Sequence, residues 1–213
     1  DKMNASYFNH TTDSSFLDCM KIDELPFHQA VLNNDKTMLL EEIKGASDIE
    51  LYINSTDSKR RTPLHIAAQS SNSELAKILL SHYAVANTQD FSGNTALHHA
   101  DSPEMTLTLL EGGISPNIPN CDGLCALHLA VKRRDFLSVK HLLAHGADVN
   151  NADDVYWYTA LHLIAHAESP QDNTSCSLRG PIAGLICEAK TPDLNYQDRD
   201  GNTPLHHATS LVE

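Results

Sequence analysis

One tetrapeptide recurs along the 213-residue chain and constrains its fold more than any other feature. Thr62-Pro63-Leu64-His65 is the cleanest copy. Thr95-Ala96-Leu97-His98, Cys125-Ala126-Leu127-His128, Thr159-Ala160-Leu161-His162 and Thr203-Pro204-Leu205-His206 follow it. Leu25-Pro26-Phe27-His28 is a weaker first copy. The six motif histidines are spaced 37, 33, 30, 34 and 44 residues apart. A second mark keeps step: Asn54, Asn87, Asn117, Asn150 and Asn195 precede the next motif histidine by 11, 11, 11, 12 and 11 residues. Two marks in phase at a fixed period define a repeat architecture, in which each unit is one small supersecondary element.

The physics of a unit follows from its residues. Threonine is placed to cap a helix, and proline or alanine takes the first helical position, where proline is tolerated. Leu64, Ile66 and Ala67 supply an apolar face. The small residues Ala67, Ala100, Ala130, Ala165 and Ala208 admit a closely packed second helix. Aliphatic residues mark that helix, as in Ile78-Leu79-Leu80 and Leu142-Leu143, and glycines such as Gly146 end it. Turns rich in Asp, Asn and Gly, such as 90–94 and 198–202, predict a projecting hairpin. A single unit cannot bury its apolar face, so units must stack into a solenoid.

Residues 62–68 and 142–150 resemble ankyrin repeats. The resemblance implies an all-α ankyrin-repeat solenoid of helix-turn-helix units with projecting β-hairpin-like fingers. It covers residues 21–213 as about six repeats, behind a poorly ordered leader at 1–20. It also implies that each motif histidine hydrogen-bonds backbone in the neighbouring unit, and that fingers and first helices line a concave face.

Departures from the period carry expectations of their own. Ala100 to Leu110 spans 10 residues where Ala67 to Leu80 and Ala130 to Leu143 span 13, so a turn is missing, and Pro103 is expected to start a truncated second helix. The 44-residue interval places a polar loop at 168–175. Arg60 and Trp157 stand where the turn glycine belongs; a positive φ there costs each about 1 kcal/mol. The last unit stops after its first helix, so the natural protein is expected to continue beyond Glu213.

Charge and chemistry narrow the function. The net charge is -13, with 28 acidic against 15 basic residues. Nucleic-acid binding needs a basic surface, so direct nucleic-acid contact is not expected. No run of about 18 apolar residues is present to enter a membrane. Five cysteines at irregular spacing predict reduced thiols, hence the cytoplasm or nucleus. Cys121 and Cys125 form a C-x3-C pair, but Cys125 merely replaces the motif threonine. No Gly-rich phosphate loop, nucleophile elbow or HExxH occurs, so no enzyme, cofactor or metal is expected.

The expected activity is recognition of another protein, either a segment or a domain. Candidate contact residues are the basic clusters Lys59, Arg60, Arg61 and Lys132, Arg133, Arg134, the aromatic Phe91, and the finger Asp153, Asp154, Tyr156, Trp157, Tyr158. Each charged cluster also reads as ordinary solvated surface, and Trp157 equally reads as a ring folded onto a neighbouring finger. Two narrower functions fit the same residues: an IκB-like inhibitor or coregulator of a transcription factor, and the regulatory array of a larger enzyme or ion channel. The register itself is testable. Leu97→Asp buries an unpaired charge and should cost at least about 3 kcal/mol. A melting temperature within a degree or two of the parent contradicts the register.

Overall fold

The computed structural model describes residues 25–166, 179–189 and 192–210. The segments expected to be a leader (1–20) and a polar loop (168–175) lie outside the described residues. First helices are α1 (Pro26–Leu32), α4 (Pro63–Gln69), α6 (Ala96–His99), α8 (Ala126–Lys132), α10 (Ala160–His166) and α12 (Pro204–Ser210). Second helices are α2 (Lys36–Gly45), α5 (Ser73–Ser81), α7 (Pro103–Glu111), α9 (Phe136–Ala144) and α11 (Arg179–Glu188). A five-residue α3 (Ile49–Ile53), capped by Asp48, lies between the first and second units and was not foreseen. First helices pack on first helices in order, and α5, α7, α9 and α11 form a second layer behind them. The core between the layers is continuous, running from Phe27 through Leu64, Leu97 and Leu127 to Leu161 and Ile186. Ala67, Ala100 and Ala130 are wholly buried where the layers meet, as small residues must be.

The motif threonine stands at the N-cap of its first helix, as expected, and it also meets the motif histidine. Thr62 Oγ1 lies 2.9 Å from His65 Nδ1, and the Thr62 amide donates to the same nitrogen at 3.1 Å. Units at Thr95, Thr159 and Thr203 repeat the pair. With Nδ1 accepting, Nε2 carries the proton and donates forward. His28 reaches the Arg61 carbonyl at 2.9 Å, His65 that of Asn94 at 3.0 Å, and His98 that of Leu124 at 2.9 Å. His128 and His162 likewise reach Asn151 at 3.0 Å and Asn202 at 3.2 Å. In the weak first copy Leu25 replaces threonine, and His28 Nδ1 is buried without a partner.

The asparagine mark is a second inter-unit bond. Asn54, Asn87, Asn117 and Asn150 accept from the amides of Val85, Ser115, Asp148 and Asp193 at 2.7, 2.9, 2.8 and 2.7 Å. Each side chain therefore pins the loop that follows the next unit's second helix.

The missing turn belongs to the first helix of its unit. α6 has four residues where α4 and α8 have seven, whereas α7 has the same nine residues as α5 and α9. Ser102 is extended, as a residue before proline must be, and its hydroxyl accepts from the Met105 amide. Ser102 and Pro103 thus start α7 in its normal place, and α6 stops early.

Burial holds the five motif histidines from His28 to His162 neutral. It pushes His65 from the ordinary 6.5 down to about 4, against the upward pull of its bond to the Asn94 carbonyl. His28, His98, His128 and His162 are lowered by the same cause. A histidine whose folded pKa is depressed binds its proton more readily when unfolded. Stability is therefore complete above pH 6.5 and falls as pH drops toward 4. At about 1.4 kcal/mol per pKa unit, His65 alone should cost the fold about 2 kcal/mol by pH 5. Thermal melts between pH 7 and 5 should show a loss of several degrees, and His65→Gln should flatten that slope. A melting temperature level across this range contradicts the assignment.

Candidate functional site

Each finger is organised around one side-chain oxygen. Asp57 Oδ1 accepts from the amides of Lys59 and Arg61, both at 2.8 Å. Asp90, Asn120 and Asp198 repeat the arrangement with the amides two and four residues on. Burial pushes the Asp90 carboxyl up, but the bonds from the Asn94 amide, His99 and the Ser92 amide hold it below the ordinary value. Asp153 departs from the rule: its partners are the amides of Val155 and Tyr156, two and three residues on. The one-residue longer asparagine-to-histidine spacing is the cause. An antiparallel bridge between Ala152 and Thr159 closes this finger.

Adjacent fingers are joined through backbone. The amides of Phe91, Cys121, Asp154 and Arg199 donate to the carbonyls of Lys59, Ser92, Asp122 and Tyr156 at 3.1, 2.9, 3.0 and 3.0 Å. Approach is close enough that a Cβ on Gly123 would sit 2.4 Å from the Asp154 amide nitrogen. Gly93, Gly123 and Gly201 take positive φ at the finger turn, and Arg60 and Trp157 take it too, at 58° and 60°. The Arg60 guanidinium lies over the Phe91 ring, 5.8 Å from its centroid.

The candidate residues differ in what they leave free. Lys59, Arg60, Lys132 and Asp154 are exposed. Phe91, Tyr156 and Trp157 are 66%, 58% and 52% exposed on the finger row. Arg61 is held by Asp57 at 2.7 Å and by Gln69 at 2.9 Å. Asp153 is buried with its carboxylate inside the finger. Arg133 donates to the Ala100 carbonyl at 2.7 Å, capping the helix end that the lost turn of α6 exposes. Arg134 occupies the left-handed turn between α8 and α9, with φ 57°.

Around Tyr158 the structure gathers rings that the sequence reading did not connect. Tyr158 stacks on Tyr156 at 5.3 Å and on His162 at 5.6 Å, with His166 and His207 both at 5.4 Å. Burial first, then the carboxylates Asp198 and Asp200, push the Tyr158 hydroxyl pKa up. His207 Nε2 turns back to Asp198 at 2.6 Å, as His99 does to Asp90 at 3.0 Å. The doublets His98-His99 and His206-His207 carried that signal: in each the second ring clamps its own finger, and His98 bonds forward to the next. Among the described residues no group of three His, Cys, Asp or Glu could hold a metal ion, and no helix is long and apolar enough to cross a membrane.

Stacked helix pairs, fingers joined by backbone and histidine-bonded neighbours together define a repeat solenoid of the kind that works through its surfaces. The chain belongs to the ankyrin-repeat family: models of that repeat match residues 27–120, as three copies, and residues 122–154. It is 32% identical to the nuclear factor NF-kappa-B p105 subunit of Gallus gallus over 83% of this chain and 18% of that protein. It is 28% identical to the probable 26S proteasome regulatory subunit p28 of Saccharomyces cerevisiae over 86% of this chain and 78% of that one. The chain thus spans under a fifth of the first relative and most of the second. A solved ankyrin repeat domain from Acinetobacter baumannii superposes with a TM-score of 0.76 at 26% identity, covering 88% of this chain and 92% of that one. Ankyrin repeats are in general protein-interaction modules, typically without catalysis.

Arg133→Ala should remove the cap on α6 and cost about 1–2 kcal/mol, because the Ala100 carbonyl loses a charged donor. A chemical denaturation midpoint unchanged from the parent contradicts that role.

Proposed function

We propose that this chain is a non-catalytic, regulatory binding module that holds a segment or domain of another protein on its concave face, as part of a larger protein of the cytoplasm or nucleus. The observation that carries the reading is the row of exposed aromatics on backbone-joined fingers, Phe91, Tyr156 and Trp157. Exposed rings on rigid projections mark interfaces in soluble proteins, and aromatic anchors supply much of the energy at measured ones. Lys59 and Arg60 at one end, and Asp154 and Asp200 toward the other, give a bound segment a direction. An IκB-like inhibitor or coregulator of a transcription factor is the narrower reading, and the likeness to a nuclear factor subunit favours it.

Trp157→Ala tests the anchor. It should weaken binding of a partner captured by the full-length protein at least about tenfold, on the scale of an anchor worth about 2 kcal/mol. Thermal stability should hold, since the ring is half exposed and the left-handed backbone at 157 remains. A falling melting temperature with unchanged affinity makes Trp157 a packing residue and removes the aromatic row as the interface.

A further inference from the structure

Two recesses meet at Lys132. One is a small cleft among Asp122, Leu124, Asp153, Val155 and Tyr156. The other lies between the ends of α8 and α10 and reaches back to α11. Its apolar lining is Val131, Leu163, Ile164 and Ile182, and its polar lining is Lys132, Arg134 and His166. Its volume is about 220 Å³. An apolar cavity of about 150 Å³ accepts benzene, so this one has room for a bulky apolar side chain.

The charge of this recess runs against that of the molecule. Acidic residues outnumber basic ones 28 to 15 along the chain, yet among the described residues no carboxylate lines it. Arg133 lies between the two cations but faces the other way, onto the Ala100 carbonyl. Among the described residues neither Lys132 nor Arg134 is in an ion pair. Lys132 also borders Asp122 and Asp153 in the adjoining cleft, whereas Arg134 belongs to this recess alone of the two. The left-handed backbone at Arg134 fixes where its side chain starts.

We propose that this recess receives a bulky apolar side chain of the bound partner with a carboxylate beside it, so that the partner segment is acidic and apolar where it crosses α8 and α10. The apolar group enters between the helix ends, and the carboxylate pairs with Arg134, assisted by Lys132. Guanidinium–carboxylate pairing favours Arg134 as the principal anchor. This rests on the concave-face reading and specifies the chemistry of its partner.

The probe is 3-phenylpropionate, with 3-phenylpropanol and 3-phenylpropylamine as neutral and cationic controls, titrated into the 15N-labelled 213-residue chain. The carboxylate should bind saturably with a dissociation constant of about 1 mM, given its few heavy atoms. Amide shifts should concentrate at 131–134 and 163–166. Arg134→Gln should weaken binding at least about fivefold with the melting temperature unchanged. Three results overturn the proposal: no saturation at these amides, equal binding of the amine, or binding only after residues 167–178 are replaced by a Gly-Ser linker, which would give the recess to the chain itself. A silent fragment beside a Trp157→Ala variant that loses its partner removes this inference alone. Fragment binding with an unaffected Trp157→Ala removes the aromatic anchor alone.

Discussion

Every neighbouring pair of units, from the first to the last, is joined by one buried histidine. Its Nε2 donates to the finger of the next unit, and in every pair but the first its Nδ1 accepts within its own unit. The ring therefore fixes two things at once: where a helix begins, and how far the following unit sits from it. Protonation would convert an acceptor into a donor facing an amide, which is why burial in a neutral state is a condition of the architecture. The histidines donate forward along the chain, and the asparagine row accepts from the amides of the unit ahead. Stability is thus a sum of nearest-neighbour terms rather than a property of one global core.

The fingers depend on that spacing. A carboxylate or carboxamide oxygen gathers the amides of each turn, and a single backbone bond passes from each finger to the next. Where the spacing lengthens by one residue, at Asp153, the same oxygen still gathers two amides, one of them a residue earlier. The added residue is accommodated at the tip, where Tyr156 and Trp157 project. The longer finger and the aromatic display are one structural event.

Much of this was legible in the residues. Helix pairs and the positive φ at Arg60 and Trp157 follow from period and turn chemistry, and the forward bond of the motif histidine from the resemblance to ankyrin repeats. Three features did not. The lost turn was assigned to the second helix because spacing counts residues and does not say which helix yields; the proline decided it by starting α7 in full. Helix α3 is five residues long, too short for any hydrophobic period to announce. Arg61, Arg133 and Asp153 looked like free surface charge, yet each is held by a carboxylate, carbonyl or amide in the fold. Which charges are free is a tertiary fact, and the recess beside Arg134 exists only because α8, α10 and α11 converge.

The short helix α6 has a consequence beyond its own unit. A strictly periodic surface offers an elongated ligand several equivalent docking frames, displaced from one another by one repeat. Such frames are isoenergetic and would be populated equally. Here the sequence of lengths along the inner row is seven, four, seven, seven residues from α4 to α10, and the finger after α9 is one residue longer than the rest. Those two irregularities lie on either side of α8, so a ligand shifted by a single repeat meets a gap where it needs a wall and a protrusion where it needs space. An energy difference of about 1.4 kcal/mol between frames already gives tenfold selection of one of them. Broken translational symmetry is what turns a repetitive surface into an address.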